Sequence, residues 1–176
     1  EPILKNWPAR ASADEAVIRA MWQEAGPGRH NIGCALGGGF LVADFDDKPG
    51  KRGFETQVEL DLLDPTLRVR TPNGAHAYYS GDDCRNAVDL AGPGSGLDVR
   101  GIGGFVLAPG SIVDGKLYTL ENDAPIIEAP PQLRALLSAP RARLEPDAAP
   151  VVELDAPASI AAAAAYLETA APAIQG

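Results

Sequence analysis

The chain is poor in the residue types that most often carry chemistry: its 176 residues include two cysteines, two histidines, one methionine and two tryptophans. Cys34 and Cys84 form no CxxC pair. With so few histidines beside them they make no zinc cluster, so reduced thiols in a cytoplasmic protein are expected. Positive charge is also scarce, 15 basic against 24 acidic residues, for a formal charge of −9. That balance argues against broad electrostatic attraction to nucleic acid or to an anionic membrane surface. No apolar run approaches the roughly 20 residues a bilayer-spanning helix needs. No charged start followed by an apolar stretch marks a signal peptide. What is present is 45% apolar residues, enough for one globular domain with a sizeable core, plus a tail.

Helical and extended patterns alternate along the first 138 residues. Residues 12–25, SADEAVIRAMWQEA, place Ser12 three residues before Glu15, the spacing of a capping box, and set Val17, Ile18, Met21 and Trp22 at helical intervals. NIGCAL, GGG and FLVADF then read as two short strands around a glycine turn. In residues 53–63, Phe54, Val58 and Leu62 predict an amphipathic helix with those three on its buried face. LRVRT and AHAYY flank TPNG, which predicts a hairpin over 67–79. The glycine-rich stretch 91–116 carries the apolar patches LDV, FVLA and SIV, expected as brief strands, and YTLEN ends the sheet. PPQLRALL is a short helix entered through proline, whose missing amide costs little there. From about Ser138 the texture shifts to a Pro/Ala connector and an Ala-rich helix, so the expected domains are 1–138 and 139–176.

The chemistry concentrates in LVADFDDKPG, residues 41–50. Strand alternation sends Asp44 and Asp46 to one face, with Ala43 and Phe45 on the other. Two adjacent carboxylates on an otherwise apolar strand repel and are costly to desolvate unless a proton or cation neutralises them, and Mg²⁺ suits such oxygen donors. A solvated strand end capping the DKPG turn is the plain structural alternative. An EF-hand loop starting at Asp44 fails, because Lys48 and Pro49 fall where that loop needs an oxygen ligand and a glycine. A haloacid-dehalogenase-type phosphohydrolase with Asp44 as nucleophile stays open as an alternative, although Lys48 stands where that pattern has a small hydroxyl or branched residue. His76, directly after the TPNG turn, is either a structural hydrogen-bonder or a site residue. Asp98 in GLDVRG sits on a short apolar strand beside Arg100, which is equally placed for a salt bridge to it. Three carboxylates on short strands plus a histidine are the equipment of two-cation nucleotidyl transfer.

In order along the chain, EPILKNW, the helix ending in MW, PGRHNIGCALGGGFLVADFD, RVRTPNGAHAYY, GPGSGLDVRGIGGFVLAPGS and APPQLRALL resemble the catalytic domain of bifunctional DNA primase/polymerases. These form the prim-pol branch of the archaeo-eukaryotic primase superfamily, and the resemblance covers residues 2 to 137. It implies an α/β (α+β) primase-type core with an RNA-recognition-motif-like sheet and a small additional αβ unit. It implies Asp44, Asp46 and Asp98 as catalytic ligands of Mg²⁺ or Mn²⁺, and His76, in a small-x-His motif over Gly74, Ala75 and His76, at the incoming nucleotide's phosphates. Those phosphates are expected to push His76 toward its protonated form. Arg70, Arg100 and Ser111 are further nucleotide-binding residues on this reading. Glycine replaces the serine often found at position 74. The family usually opens with a helix and a strand ahead of a K-x-P element, and the sequence starts just past where that lysine is expected, so either those elements precede Glu1 or the fold is completed differently.

The implied partners are single-stranded DNA template, dNTP or NTP, and a fused or associated helicase module in a phage or plasmid replication protein. A catalytically silent nucleic-acid-binding module of a replication initiator is the alternative from outside enzymology. The acidic charge is partly answered by position, since residues 139–176 hold two basic and five acidic residues and so −3 of the −9. Lys48, Lys51 and Arg52 beside the acidic strand, with Arg68 and Arg70 on the hairpin, are expected either to contact template phosphates or to be a solvated loop and edge.

Overall fold

A computed structural model describes residues 2–139 and residue 161 of the chain. In chain order the elements are α1 (Trp7–Arg10), α2 (Glu15–Ala25), β1 (Gly33–Ala35), β2 (Phe40–Lys48), β3 (Lys51–Arg52) and α3 (Gly53–Glu59). There follow β4 (Arg68–Thr71), β5 (Gly74–Ser80), β6 (Leu97–Arg100), β7 (Phe105–Leu107), β8 (Ile112–Val113), β9 (Lys116–Leu117), β10 (Thr119–Leu120), β11 (Ile127–Glu128) and α4 (Pro131–Ser138). The connector and Ala-rich helix expected over 139–176 lie outside the described residues, apart from positions 139 and 161.

The mixed α/β character expected from the sequence holds. β2 is the central strand: β5 pairs antiparallel along one side and β6 along the other, β4 extends the sheet beyond β5, and β10 beyond β4. The alternation of β2 divides the sheet into two unlike faces. Leu41, Ala43 and Phe45 join Ala77 and Tyr79 of β5 and Leu97 and Val99 of β6, all at most 2% exposed, with Leu62 and Leu133 of α4. Each large apolar side chain so buried contributes about 1.5–3 kcal/mol. The other face carries Asp44, Asp46, His76, Asp98 and Arg100.

Three local expectations are corrected. α2 forms, but its cap is Asp14, whose carboxylate accepts from the Val17 amide at 3.0 Å, while Ser12 accepts from the Asp14 amide. α3 is shorter than 53–63 and buries Gly53, Thr56 and Gln57, leaving Val58 63% exposed. The reason is Gly53: a Cβ there would lie 2.5 Å from the Asp46 carbonyl oxygen, so the helix rests its backbone directly on β2. Thr56 then donates to the Ser95 carbonyl and the Gln57 amide to the Leu62 carbonyl, which satisfies both buried side chains. Leu62 reaches the core from beyond the helix end, after Asp61 turns the chain in a left-handed conformation. β11, finally, pairs parallel with β5, so the sheet does not end at YTLEN; β1 and β7 form a separate two-stranded sheet.

Candidate active site

The hairpin and the central strand bring the site together by register. Asp44 lies directly opposite His76 on one side and Asp98 on the other, so three side chains from β5, β2 and β6 form one row across the sheet. Asp46 is two residues along, opposite Gly74, and Arg100 is opposite Val42. Gly74 permits this geometry, since a Cβ there would be 1.7 Å from the Phe45 carbonyl oxygen. A serine at that position would require the two strands to separate.

The row is tightly coupled. Arg100 Nη2 is 3.0 Å from Asp98 Oδ2 and 3.6 Å from Asp44 Oδ2, so one guanidinium serves both acids. The other Asp98 oxygen accepts from the Asp89 amide at 2.9 Å. Burial, reinforced by the charge of Asp46, pushes the Asp44 carboxyl up from 3.8 to about 6, against the pull of Arg100. Burial, reinforced by Arg100, pushes the His76 imidazole down from 6.5 to about 4. The protein's own surroundings therefore hold His76 neutral at pH 7, opposite to the protonated form expected beside phosphates. Its 3.5 Å approach from Nε2 to Asp44 Oδ1 joins a neutral ring to a carboxyl and is no ion pair at that pH. His76 Nδ1 is buried without a hydrogen-bond partner among the described residues.

Over this face opens a cavity of about 250 Å³. Its floor is Asp44, Asp46 and His76, and its rim is Lys48 with the turn Thr71–Asn73. The far wall comes from the β8–β9 hairpin and the residue after it: Asp114, Lys116 and Tyr118. The Tyr118 ring lies 5.9 Å from the His76 ring, tilted by 49°, and burial beside Asp44 and Asp46 raises its phenol pKa. Nothing in the local pattern of the sequence marks Tyr118 or Lys116, because the hairpin that carries them meets the sheet only through the folded chain.

Two expected residues lie elsewhere. Arg70 is opposite Ala75 in register and hence on the helix-bearing face, where its guanidinium stands 5.4 Å from the Phe54 ring centroid and 3.2 Å from Glu121. Ser111 is buried at the base of the β8–β9 hairpin, outside the cavity lining, and its backbone accepts from the Tyr118 amide. The basic residues considered for template phosphates are each committed to an acid: Lys48 to Asp46, Lys51 to Asp89, Arg52 to Glu59, and Arg68 and Arg70 to Glu121.

Among the described residues no group of three His, Cys, Asp or Glu side chains is arranged to hold a metal ion. Asp98 shares the row with Asp44 but does not line the cavity, and both its oxygens already accept hydrogen bonds. Asp44 and Asp46 do fit a hard divalent cation in donor chemistry: oxygen ligands, side by side at the cavity floor, whose mutual repulsion is already visible in the raised Asp44 pKa.

A family model described as bifunctional DNA primase/polymerase, N-terminal, matches residues 1–132. The chain belongs to that family. No curated protein matches it. Membership sets the activity class of this primase/polymerase domain as DNA primase/polymerase-type nucleotidyl transfer, with nucleic acid and nucleotides as substrates. No helix among the described residues is long and apolar enough to cross a membrane.

Proposed function

We propose that the domain joins nucleotides on a single-stranded DNA template, as primase and polymerase, in an intracellular replication protein of a phage or plasmid that carries or recruits a helicase. One observation carries the site assignment: Asp44, His76 and Asp98 occupy a single cross-strand row, of which Asp44 and His76 line a cavity together with Asp46. The antiparallel order β6–β2–β5–β4, with α3 on one face between β2 and β4, supports an RNA-recognition-motif-like, archaeo-eukaryotic primase-type core. The β1–β7 sheet with α1 and α2 supports the additional αβ unit, and residues 1–138 are read as the catalytic domain.

On this reading Asp44 and Asp46 would hold Mg²⁺ or Mn²⁺, with Asp98 adding negative charge beside them. The bound cation supplies Lewis-acid stabilisation of the phosphoryl oxygens and neutralises the carboxylates. The remaining work belongs to the chain. His76 on the floor offers an imidazole donor to a polyphosphate oxygen, and Tyr118 packs against its ring and holds its plane. Arg100 fixes the Asp44 and Asp98 carboxylates relative to one another and lends positive charge to the same face. Lys116, on the opposite wall, places a second cation across the cavity from His76. Arg70, paired on the other face, drops out of the nucleotide-binding set, and Ser111 acts by shaping the hairpin that carries Lys116 and Tyr118.

The deciding experiment is primer extension and primer synthesis on single-stranded DNA with dNTPs or NTPs and Mg²⁺ or Mn²⁺, run beside an Asp44→Ala/Asp46→Ala variant. Metal-dependent product, lost in the variant, is expected. Phosphate release without extension would favour the phosphohydrolase alternative, and DNA binding with neither activity would favour the silent module.

A further inference from the structure

We infer that Asp89, which lines no part of the cavity, is a positioning residue that holds two of the three site acids through the loop 89–96; this rests on the catalytic reading of those acids. The loop reads DLAGPGSG and closes on Asp89 itself. One carboxylate oxygen of Asp89 accepts from the Gly96 amide at 3.0 Å and the other from the Gly94 amide at 3.2 Å. Lys51 Nζ approaches the first oxygen to 2.5 Å. The backbone of Asp89 takes a left-handed conformation, φ 47°, which aspartate and asparagine tolerate better than most residues.

That grip has two outputs. The Asp89 amide points at Asp98 Oδ1, 2.9 Å away, and with Arg100 on Oδ2 it fixes the Asp98 carboxylate from both ends. At the other end of the loop the Gly96 carbonyl accepts from the Asp46 amide at 2.7 Å, and the Gly94 carbonyl from the Arg52 amide at 3.2 Å. The approach at Gly96 is so close that a Cβ would lie 2.3 Å from the Asp46 carbonyl oxygen. The Asp89 carboxylate thus pins the loop whose Gly96 carbonyl holds the backbone of Asp46 on β2, and the Asp89 amide holds the side chain of Asp98 on β6. Loss of partners that orient metal ligands typically costs about 10–100-fold in metal affinity or activity.

The test compares the full wild-type chain with Asp89→Gly, which removes the carboxylate while accepting the left-handed backbone, and Asp89→Asn, which keeps one acceptor oxygen. Three readouts are taken: hydrogen exchange at the Asp46 and Val99 amides, Mn²⁺ affinity by electron paramagnetic resonance, and steady-state single-nucleotide extension. For Asp89→Gly, Asp46 exchange accelerates and Mn²⁺ affinity and kcat each fall by about tenfold, with the nucleotide KM little changed and the core Val99 amide still protected. Asp89→Asn recovers part of each loss. A folded Asp89→Gly chain with Asp46 protection, Mn²⁺ affinity and kcat all at wild-type values overturns the inference and leaves the catalytic reading standing. If Asp89→Gly does not fold, wild-type values of all three in Asp89→Asn overturn it. A wild-type chain that neither binds Mn²⁺ nor extends a primer overturns the catalytic reading instead.

Discussion

Replacing Asp44 by asparagine should make the metal-free protein more stable while abolishing its activity. The folded structure raises the Asp44 carboxyl from 3.8 to about 6, because burial and the charge of Asp46 outweigh the attraction of Arg100. A carboxyl whose folded pKa is raised binds its proton more tightly in the folded than in the unfolded chain. Ionising it therefore costs stability: little below pH 4, progressively more between pH 4 and 6, and the full amount above pH 6. About two pKa units correspond to about 3 kcal/mol at neutral pH. The side chain is only 17% exposed, so solvent screening removes little of this. Asparagine preserves the shape of the neutral carboxyl, so the variant recovers most of that energy, a rise in Tm of about 5–10 °C for a domain of this size. The assay is calorimetric unfolding of both proteins in EDTA from pH 4 to 8. The gap between them should grow from under about 1 kcal/mol near pH 4 to about 3 kcal/mol above pH 6.5. Adding Mn²⁺ should then raise the Tm of wild type alone and narrow the gap. A variant no more stable than wild type at pH 7.5, or a gap that does not change with pH, would refute the electrostatic account of the site.

Further substitutions probe the scaffold and the cavity separately. Gly74→Ala, which places a Cβ against the Phe45 carbonyl, should cost more than about 3 kcal/mol or prevent folding, read by thermal unfolding and soluble yield. Leu133→Ala, at a fully buried position where α4 meets the sheet, should cost about 2–5 kcal/mol in chemical denaturation. Thr56→Val leaves the buried Ser95 carbonyl without its donor and should cost about 1–3 kcal/mol by the same measurement. His76→Gln should leave the fold intact by circular dichroism and reduce nucleotide incorporation at least about tenfold, chiefly through the nucleotide KM.

The parts of this molecule legible in the sequence are those decided by near neighbours along the chain. Alternation along β2 separates Asp44 and Asp46 from Ala43 and Phe45, and the TPNG turn sets the hairpin that delivers His76. Proline at the first turn of α4 marks that helix correctly. What escaped is governed by contacts between distant segments. Periodicity predicts Val58 as a core residue, but Gly53 seats α3 backbone-first on β2 and turns Thr56 and Gln57 inward instead. β1 finds its partner in β7, about 70 residues later, which no local pattern announces. Arg70 is expected among the nucleotide-binding residues on the family resemblance, yet its register opposite Ala75 puts it on the other face, where Glu121 on the neighbouring segment takes it up. Tyr118, Lys116 and Asp89 have no signature of their own and become visible only through what they touch.

Those contacts also show where the chain departs from the rules that stabilise it. Several buried polar groups in the scaffold are partnered, Thr56 by the Ser95 carbonyl, Gln57 by the Leu62 carbonyl and Thr66 by the Tyr78 carbonyl, whereas Asp64 Oδ2, Tyr79 Oη and Ser111 Oγ have no partner among the described residues. The floor of the cavity follows a different logic. Asp44 is held in surroundings that disfavour its charge, and His76 is held in surroundings that disfavour its proton. Neither perturbation improves folding: ionised Asp44 costs stability at neutral pH, and His76 costs stability as pH falls below its ordinary value of 6.5. A destabilised carboxyl beside an imidazole with an unpartnered nitrogen concentrates a stability cost on the cavity floor. On the proposed function, a divalent cation at Asp44 and Asp46 and the acceptor oxygens of a nucleoside triphosphate at His76 would offset that cost.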